Sequence, residues 1–282
     1  MLRIGAHQSI AGGYAKAVER VHAIGGNCLQ IFSASPRSWS RPAPDAEDKK
    51  NFLKLREEFD VHPVYFHASY LINLADGGEV GRRSVGALIA ELKAAGDCDI
   101  VGSIIHLGSF KNADSAAVAE NRYSILIANI KEILDNTPKR TFFIIENSAT
   151  RKIGRRLEEI ANIINWLGSD RVRVCLDTCH LHAAGYDLSS RRRMEDFLKD
   201  FDSQIGLSQL QVWHANDSRD AFGSLRDRHE NIGEGKVAKA IFSLLLQEAE
   251  TKYLPFIIET PGFDGQGPDA ENIARLRSLE VG

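Results

Sequence analysis

The 282-residue chain has only four cysteines and no apolar stretch near the roughly 20 residues that a membrane helix needs. So few cysteines in a chain this long make no disulfide framework and point to a reducing compartment. Met1-Leu2-Arg3-Ile4-Gly5 begins no apolar signal region, so no secretory leader is expected and the expected location is the cytoplasm. No Ser/Gly-rich linker, low-complexity tract or internal repeat divides the sequence. Charge of one sign is also lacking. Thirty-five Lys and Arg against 38 Asp and Glu leave a formal −3, which does not advertise a nucleic-acid binder. Nor does a G-x-G-x-x-G fingerprint follow the first apolar run, where Gly12-Gly13 is only a weak echo of the dinucleotide-binding turn.

What is present is the raw material of a large core, with 43% hydrophobic and 26% charged residues. Short runs rich in Ile, Val and Phe recur at residues 2–6, 28–32, 63–68, 103–107, 141–146, 171–177, 210–214 and 255–259. Their composition reads as buried parallel strands. Between them lie amphipathic helices. Residues Ala17, Val18, Val21 and Ile24 share one face of a helix over 14–24, and Ile125, Ile127, Ile130, Ile133 and Leu134 share one over 116–134. Gly25-Gly26, Gly96 and Gly168 stand where helices should stop. Eight strand–helix alternations without a hairpin signal predict an α/β fold, a single (β/α)₈ TIM barrel domain over residues 1–282. An open doubly wound sheet is the alternative, but it usually has fewer strands.

In such barrels the chemistry sits at the C-terminal strand ends. Six successive strand ends carry His67, His106, Glu146, Asp177, His214 and Glu259. Taken singly, a strand-end His is more often a hydrogen-bonded structural residue than a ligand. With 9 His and 38 acidic residues in 282, however, six such ends in a row are far from random. Asp177-Thr178-Cys179-His180 adds an imidazole three residues after a carboxylate. Asp227-Arg228-His229 has the i, i+2 spacing that points two side chains to one side of an extended chain and the Arg to the other. Five His and four carboxylates without a thiolate suit Zn²⁺ or Mn²⁺, and nine ligands are enough for two or three ions. Paired metals stabilise both oxygens of an in-line phosphoryl displacement, so metal-assisted phosphate-ester hydrolysis is the reaction class. Cys175 and Cys179 read as buried small residues, His22 and His62 as structural, and His7 as a residue that lines the site or merely ends the first strand. His182 is left undecided.

These residues resemble endonuclease IV (deoxyribonuclease IV), the zinc-dependent apurinic/apyrimidinic endonuclease family of base-excision repair, over nearly the whole chain. The resemblance is carried by Gly5-Ala6-His7 with Ala11-Gly12-Gly13, Arg37-Ser38-Trp39, Ser69-Tyr70-Leu71-Ile72-Asn73-Leu74 and Glu146-Asn147. It continues through Asp177-Thr178-Cys179-His180, Ala184-Gly185-Tyr186-Asp187, His214-Ala215-Asn216-Asp217, Asp227-Arg228-His229, Gly233-Glu234-Gly235 and Glu259-Thr260. It implies a TIM barrel with three zinc ions. His67 and His106 would hold the first; Asp177, His214 and Glu259 the second; Glu146 would bridge these two, and His180, Asp227 and His229 would hold the third. Mn²⁺ is an alternative occupant at some positions. Glu146 and Glu259 carry the catalytic assignment.

The implied reaction is hydrolysis of the phosphodiester 5′ to an abasic site in double-stranded DNA, leaving a 3′-hydroxyl, together with removal of 3′-blocking groups, by a monomer. Arg37, Tyr70 and Leu71 match the loop residues that enter the DNA stack, where opening costs least because a base is missing. Three zinc ions would change −3 to roughly +3. Arg37, Arg41, Arg151, Lys152, Arg155 and Arg156 are candidate phosphate contacts, and Arg191-Arg192-Arg193 could face either way. The chain departs from the family pattern at Ala68, where Asp is common, at Leu107, where Pro is common, and at Thr150-Arg151-Lys152, which replaces a glycine-rich stretch. Two other readings are a metal-dependent sugar isomerase or epimerase on a related barrel, which would not need the His180, Asp227 and His229 set, and a zinc barrel that binds DNA without cutting it.

Overall fold

In the computed structural model, which describes residues 2–42, 44–110, 116–248 and 250–280, every expected apolar run overlaps a strand. The first strand runs two residues past the expected end, and the fourth starts one residue earlier and ends two residues sooner than expected. They are β1 (Ile4–Gln8), β2 (Leu29–Phe32), β3 (Val64–His67), β4 (Gly102–Ile105), β5 (Phe142–Glu146), β6 (Val172–Asp177) and β7 (Leu210–His214). After a two-stranded antiparallel pair, β8 (Asp217–Ser218) and β9 (His229–Glu230), comes β10 (Phe256–Ile258). β1 to β7 and β10 pair in parallel with their chain neighbours, and β10 closes back on β1, with Ile4 opposite Phe256 and Ala6 opposite Ile258. The predicted (β/α)₈ barrel is therefore the observed architecture, and the open sheet is excluded.

The helices are α1 (Tyr14–Ala23), α2 (Ala46–Glu58), α3 (Glu79–Asp97), α4 (Ala116–Asp135), α5 (Leu157–Leu167), α6 (Thr178–Ala184), α7 (Arg191–Gln204), α8 (Lys239–Gln247) and α9 (Ala270–Ser278). Local signals set several of their ends. Asp45, Ser190 and Asp269 accept first-turn amides of α2, α7 and α9, and Gly168 ends α5 in the left-handed region at φ 59°. Gly96 does not end a helix as its residue type suggested. α3 continues to Asp97, and Gly96 lies where a Cβ would come within 3.0 Å of Pro138, so close packing accounts for the glycine. On α4 the buried stripe is Leu126, Ile130, Ile133 and Leu134, with Ile125 and Ile127 only half-buried, so the apolar face is rotated from the expected one.

Two apolar layers result. Most of the core lies between the strands and the helices. A separate cluster fills the barrel interior: Cys28, Tyr65, Ile104, Ile144, Cys175, Val212 and Ile257, all fully buried. These residues come from seven different strands or strand starts, and the eighth strand, β1, contributes Gly5. A Cβ on Gly5 would sit 1.7 Å from the Cys28 carbonyl oxygen, so only glycine lets β1 and β2 approach here. Because side chains alternate along a strand, the residue two further on also points inward. That position is His7, Gln30, His67, His106, Glu146, Asp177, His214 or Glu259.

Gly5→Ala is expected to destabilise the protein by about 2 kcal/mol or more through overpacking. Gly86→Ala, at an exposed position of α3 with no atom within 4 Å of the added Cβ, should stabilise it by about 0.5–1 kcal/mol. Thermal melts of the two variants check the contrast.

Candidate metal centre

The ring of n+2 residues faces inward above the apolar plug. Glu146 is at its centre. Its Oε2 lies 3.1 Å from His67 Nε2 and 3.3 Å from His106 Nε2, while its Oε1 lies 3.2 Å from both His214 Nδ1 and His180 Nδ1. Glu259 Oε2 and Asp177 Oδ2 approach His214 Nδ1 at 3.4 and 3.7 Å. Asp227 Oδ1 lies 3.0 Å from His180 Nε2 and 3.5 Å from His229 Nε2, and the latter nitrogen is 3.6 Å from Asp177 Oδ2. All nine residues singled out in the sequence are thus brought together.

Local structure explains the two motifs outside the barrel strands. Asp177 ends β6 and caps α6 by accepting the His180 amide at 3.0 Å, so His180 stands on the first turn of α6. Asn147 Oδ1 accepts the Asp177 amide at 2.6 Å, and Asn216 Nδ2 donates to Asp177 Oδ2 at 2.7 Å. Asp227 and His229 arrive on the β8–β9 hairpin, which strand patterning missed because each strand has two residues. As the i, i+2 spacing implied, Arg228 turns the other way, and its Nε donates to Asp220 at 2.7 Å. The buried Asp217 carboxylate accepts the amides of Gly233, Gly235 and Val237 at 2.9–3.0 Å, tying the following loop to the hairpin.

Four of the five histidines have one ring nitrogen committed to an oxygen that can only accept. His67 Nδ1 donates to the Ala68 carbonyl (2.8 Å) and His180 Nδ1 to the Asn147 carbonyl (2.9 Å). His214 Nε2 donates to Gln30 Oε1 (2.8 Å) and His229 Nδ1 to the Glu259 carbonyl (3.3 Å). In each neutral imidazole the other nitrogen then carries a lone pair facing the carboxylates, the arrangement a metal-ligating histidine needs. Buried His229 Nε2 and His106 Nδ1 have no hydrogen-bond partner among the described residues. Groups of donor atoms within 4.8 Å of one another comprise His67, His106 and Glu146; Glu146, Asp177, His214 and Glu259; His106, His180 and Asp227; and Asp177, Cys179 and His229. The donors fit divalent cations.

The electrostatics agree. Burial alone would raise the Glu146 carboxyl, but His106, His214 and His180 outweigh it and hold it well below the usual carboxylate range. Burial opposes the charged form of His67 too, yet the bond to Glu146 and the charge of Glu259 lift it to about 9. His106, dominated by burial, falls to about 4 and is neutral at physiological pH. Metal uptake by His67 at neutral pH must therefore displace a proton, whereas uptake by His106 need not.

His7 does line the site. Gln30, which sequence reasoning missed, binds it there: Gln30 Nε2 lies 2.8 Å from His7 Nδ1 and 2.5 Å from Glu259 Oε1. The available signal was a lone polar residue two places after Cys28 in an apolar run. Cys175 is buried in the plug, as expected. Cys179 packs close to Asp177 and His229, but burial, with the Asp177 charge, pushes its thiol up to about 12. His22 stacks on Phe59, and His62 is held by Arg56 and Glu57, so both are structural. His182 binds the Asp220 carbonyl, outside the ring.

Above the ring a cavity of about 430 Å³ opens between Phe32, Tyr70, Thr260 and Pro268. Tyr70 is 72% exposed at its rim, edge-on to Phe32 at 5.5 Å; Arg37 is exposed and Leu71 half-buried. Arg151, Lys152 and Arg156 are exposed and Arg155 is half-buried. Arg41 is not a surface cation: its side chain is 4% exposed and faces Glu91. Arg191, Arg192 and Arg193 form the first turn of α7, with Glu248, Asp196 and Asp187 as ion-pair partners. No helix among the described residues is long and apolar enough to cross a membrane.

Comparison with known proteins agrees with this geometry. Residues 18–279 match the family of xylose isomerase-like TIM barrels. A probable endonuclease 4 from Persephonella marina is 36% identical, the match covering 99% of this chain and 97% of that protein. The crystal structure of endonuclease IV from Thermus thermophilus superposes with a TM-score of 0.85 at 33% identity, covering 98% of both chains. The 3-keto-D-glucoside 4-epimerase of E. coli, at a TM-score of 0.71 and 13% identity over 99% of this chain and 100% of that one, shares the fold alone. With full-length relatives above 30% identity and the nine candidate ligands gathered at one site, the chain belongs to the endonuclease IV family.

Proposed function

We propose that this protein is an apurinic/apyrimidinic endonuclease that hydrolyses the phosphodiester 5′ to abasic sites in duplex DNA and leaves a 3′-hydroxyl. The observation that carries the reading is the cluster of five imidazoles and four carboxylates, four of the imidazoles held by a fixed hydrogen bond on one ring nitrogen so that the other faces the carboxylates. His67 and His106 would hold one zinc; Asp177, His214 and Glu259 a second, with Glu146 between them; His180, Asp227 and His229 a third. Bound there, zinc supplies Lewis acidity toward a phosphodiester and lowers the pKa of water toward 7. The chain's own residues do the rest. Glu146 stays ionised through the physiological range and fixes the spacing of the two ligand sets it joins. Gln30 sets the ring orientation of His214 and holds Glu259. Tyr70, Leu71 and Arg37, at the rim, enter the stack and hold the duplex open where a base is missing. 3′-Blocking groups, which present the same phosphoester beside the same deoxyribose, are substrates of the same site.

The sugar-epimerase reading rests on fold likeness at 13% identity and has no use for His180, Asp227 and His229. A DNA-binding scaffold without activity would be expected to lack a ligand, and all nine candidates are in place.

The direct test is incubation with a duplex carrying one synthetic abasic site, followed by sizing of both products. A nick on the 5′ side ending in a 3′-hydroxyl is expected, lost with a chelator and restored by Zn²⁺. Glu146→Gln should lower the incision rate per folded molecule by about 10³-fold or more, since it disturbs both ligand sets that Glu146 joins. Thermal melts normalise that rate, and activity that falls only in proportion to the folded fraction would assign Glu146 to stability alone.

Tyr70→Ala is expected to weaken incision of abasic duplex by about 1–3 kcal/mol, the range for one base-stacking aromatic, and to leave zinc content unchanged. A small phosphodiester that needs no unstacking should be cleaved as before. Equal losses on both substrates would place Tyr70 in the support of the metal centre instead.

A further inference from the structure

We propose that Arg41 and Glu91 form a buried positioning device that holds Arg37 beside Tyr70 at the mouth of the site. The inference rests on the reading of Arg37 as a DNA contact. Glu91 lies on α3 and is 1% exposed, between the barrel wall and the helix. Its Oε1 accepts the Ser103 hydroxyl of β4 at 2.5 Å, its Oε2 accepts the Ser33 hydroxyl just after β2, and the same Oε2 faces Arg41 Nε at 3.5 Å. Arg41 reaches in the other direction as well. Its Nη1 donates to the carbonyls of Ser38 and Ser40 at 2.6 and 3.0 Å. One guanidinium thus joins the wall of the barrel to the loop that carries Arg37.

The other side of Arg37 is tied down too. The Pro36 carbonyl accepts the Ser69 hydroxyl at 2.6 Å, and that hydroxyl oxygen also accepts the Leu71 amide at 3.2 Å. Arg37 is therefore an exposed side chain between two anchored neighbours, Pro36 and Ser38, and one anchor is shared with the loop that presents Tyr70. The arrangement is not explained by stability. Buried ion pairs are expensive to desolvate, and apolar replacements are often neutral or better. What a buried pair does supply is one orientation for the segment it holds, and a loop ordered before binding does not lose its freedom when the ligand arrives. Neither Arg41 nor Glu91 lines the cavity; the contacts of Arg41 run to Glu91 and to the loop beside Arg37, so the route proposed to the DNA is through Arg37.

The experiment is a double-mutant cycle on Arg37→Ala and Arg41→Met, using zinc-loaded enzyme and a duplex with a single abasic site. Arg41→Met should raise KM about tenfold with kcat, zinc content and cleavage of a small phosphodiester nearly unchanged. Arg37→Ala should raise KM by a similar factor. The double variant should resemble Arg37→Ala alone rather than show a hundredfold product, because the pair has nothing left to position. Amide exchange at residues 37–40 should quicken in Arg41→Met without DNA present. If Arg41→Met fails to fold because Glu91 is left unpaired, Arg41→Met with Glu91→Gln removes both charges and carries the same test.

An unchanged KM in a folded variant, additive effects in the cycle, or equal losses on the small ester would overturn the proposal. Absence of incision by the wild-type enzyme would instead refute the functional reading, and the exchange measurement still decides whether the pair orders the loop.

Discussion

The molecule depends on one constraint: in a closed parallel barrel the side chains that point inward recur every second residue, on every strand, at matched height. The chain uses two such levels. The lower is apolar and includes Tyr65, Ile104, Ile144 and Val212; the upper is His67, His106, Glu146 and His214 with their neighbours. The plug keeps water out from below, so the polar groups above it are desolvated and must satisfy one another. That pressure accounts for carboxylates with depressed pKa, imidazoles with fixed tautomers, and the amide of Gln30 spread over three side chains. A ring of this kind is an expensive structure unless cations complete it.

The family pattern bends where side chains are not the operative groups. Ala68 and Leu107 replace the common Asp and Pro. In this structure both contribute mainly through the backbone: the Ala68 amide donates to Ile104 and its carbonyl accepts from His67, and the Leu107 carbonyl accepts the Leu74 amide. The loops after β3 and β4 can therefore keep their paths with other side chains. Asn216 is the opposite case. Its Nδ2 donates to Asp177 and its Oδ1 accepts the Glu259 amide, so one side chain spaces two members of the ring.

The barrel was legible because its signal is redundant. Eight apolar runs, six of them ending in the same kind of residue, constrain one another far more than any single run does. Six of the nine candidate ligands were legible for the same reason, and His180, Asp227 and His229 through the spacing of two short motifs. What escaped depends on contacts that no period encodes. Gly96 looked like a helix stop and is a packing contact with Pro138; Leu126 displaces Ile125 and Ile127 as the buried face of α4 because the neighbours of that helix set its rotation. The β8–β9 pair is too short to show alternation. Arg41 looked like a phosphate contact because an isolated Arg is read by charge, and only the fold places Glu91 behind it. Gln30 was hidden by its size and neutrality, although its place two residues after Cys28 puts it in the ring.

The central claim is that nine side chains form three separable sets for three ions. Metal content per chain, measured by elemental analysis and native mass spectrometry on protein purified without chelator, tests it most directly. About three zinc ions are expected in the wild type, and about two in Asp227→Ala, which leaves the Glu146 sets intact. A wild-type content of one, or a content that Asp227→Ala does not change, would contradict it.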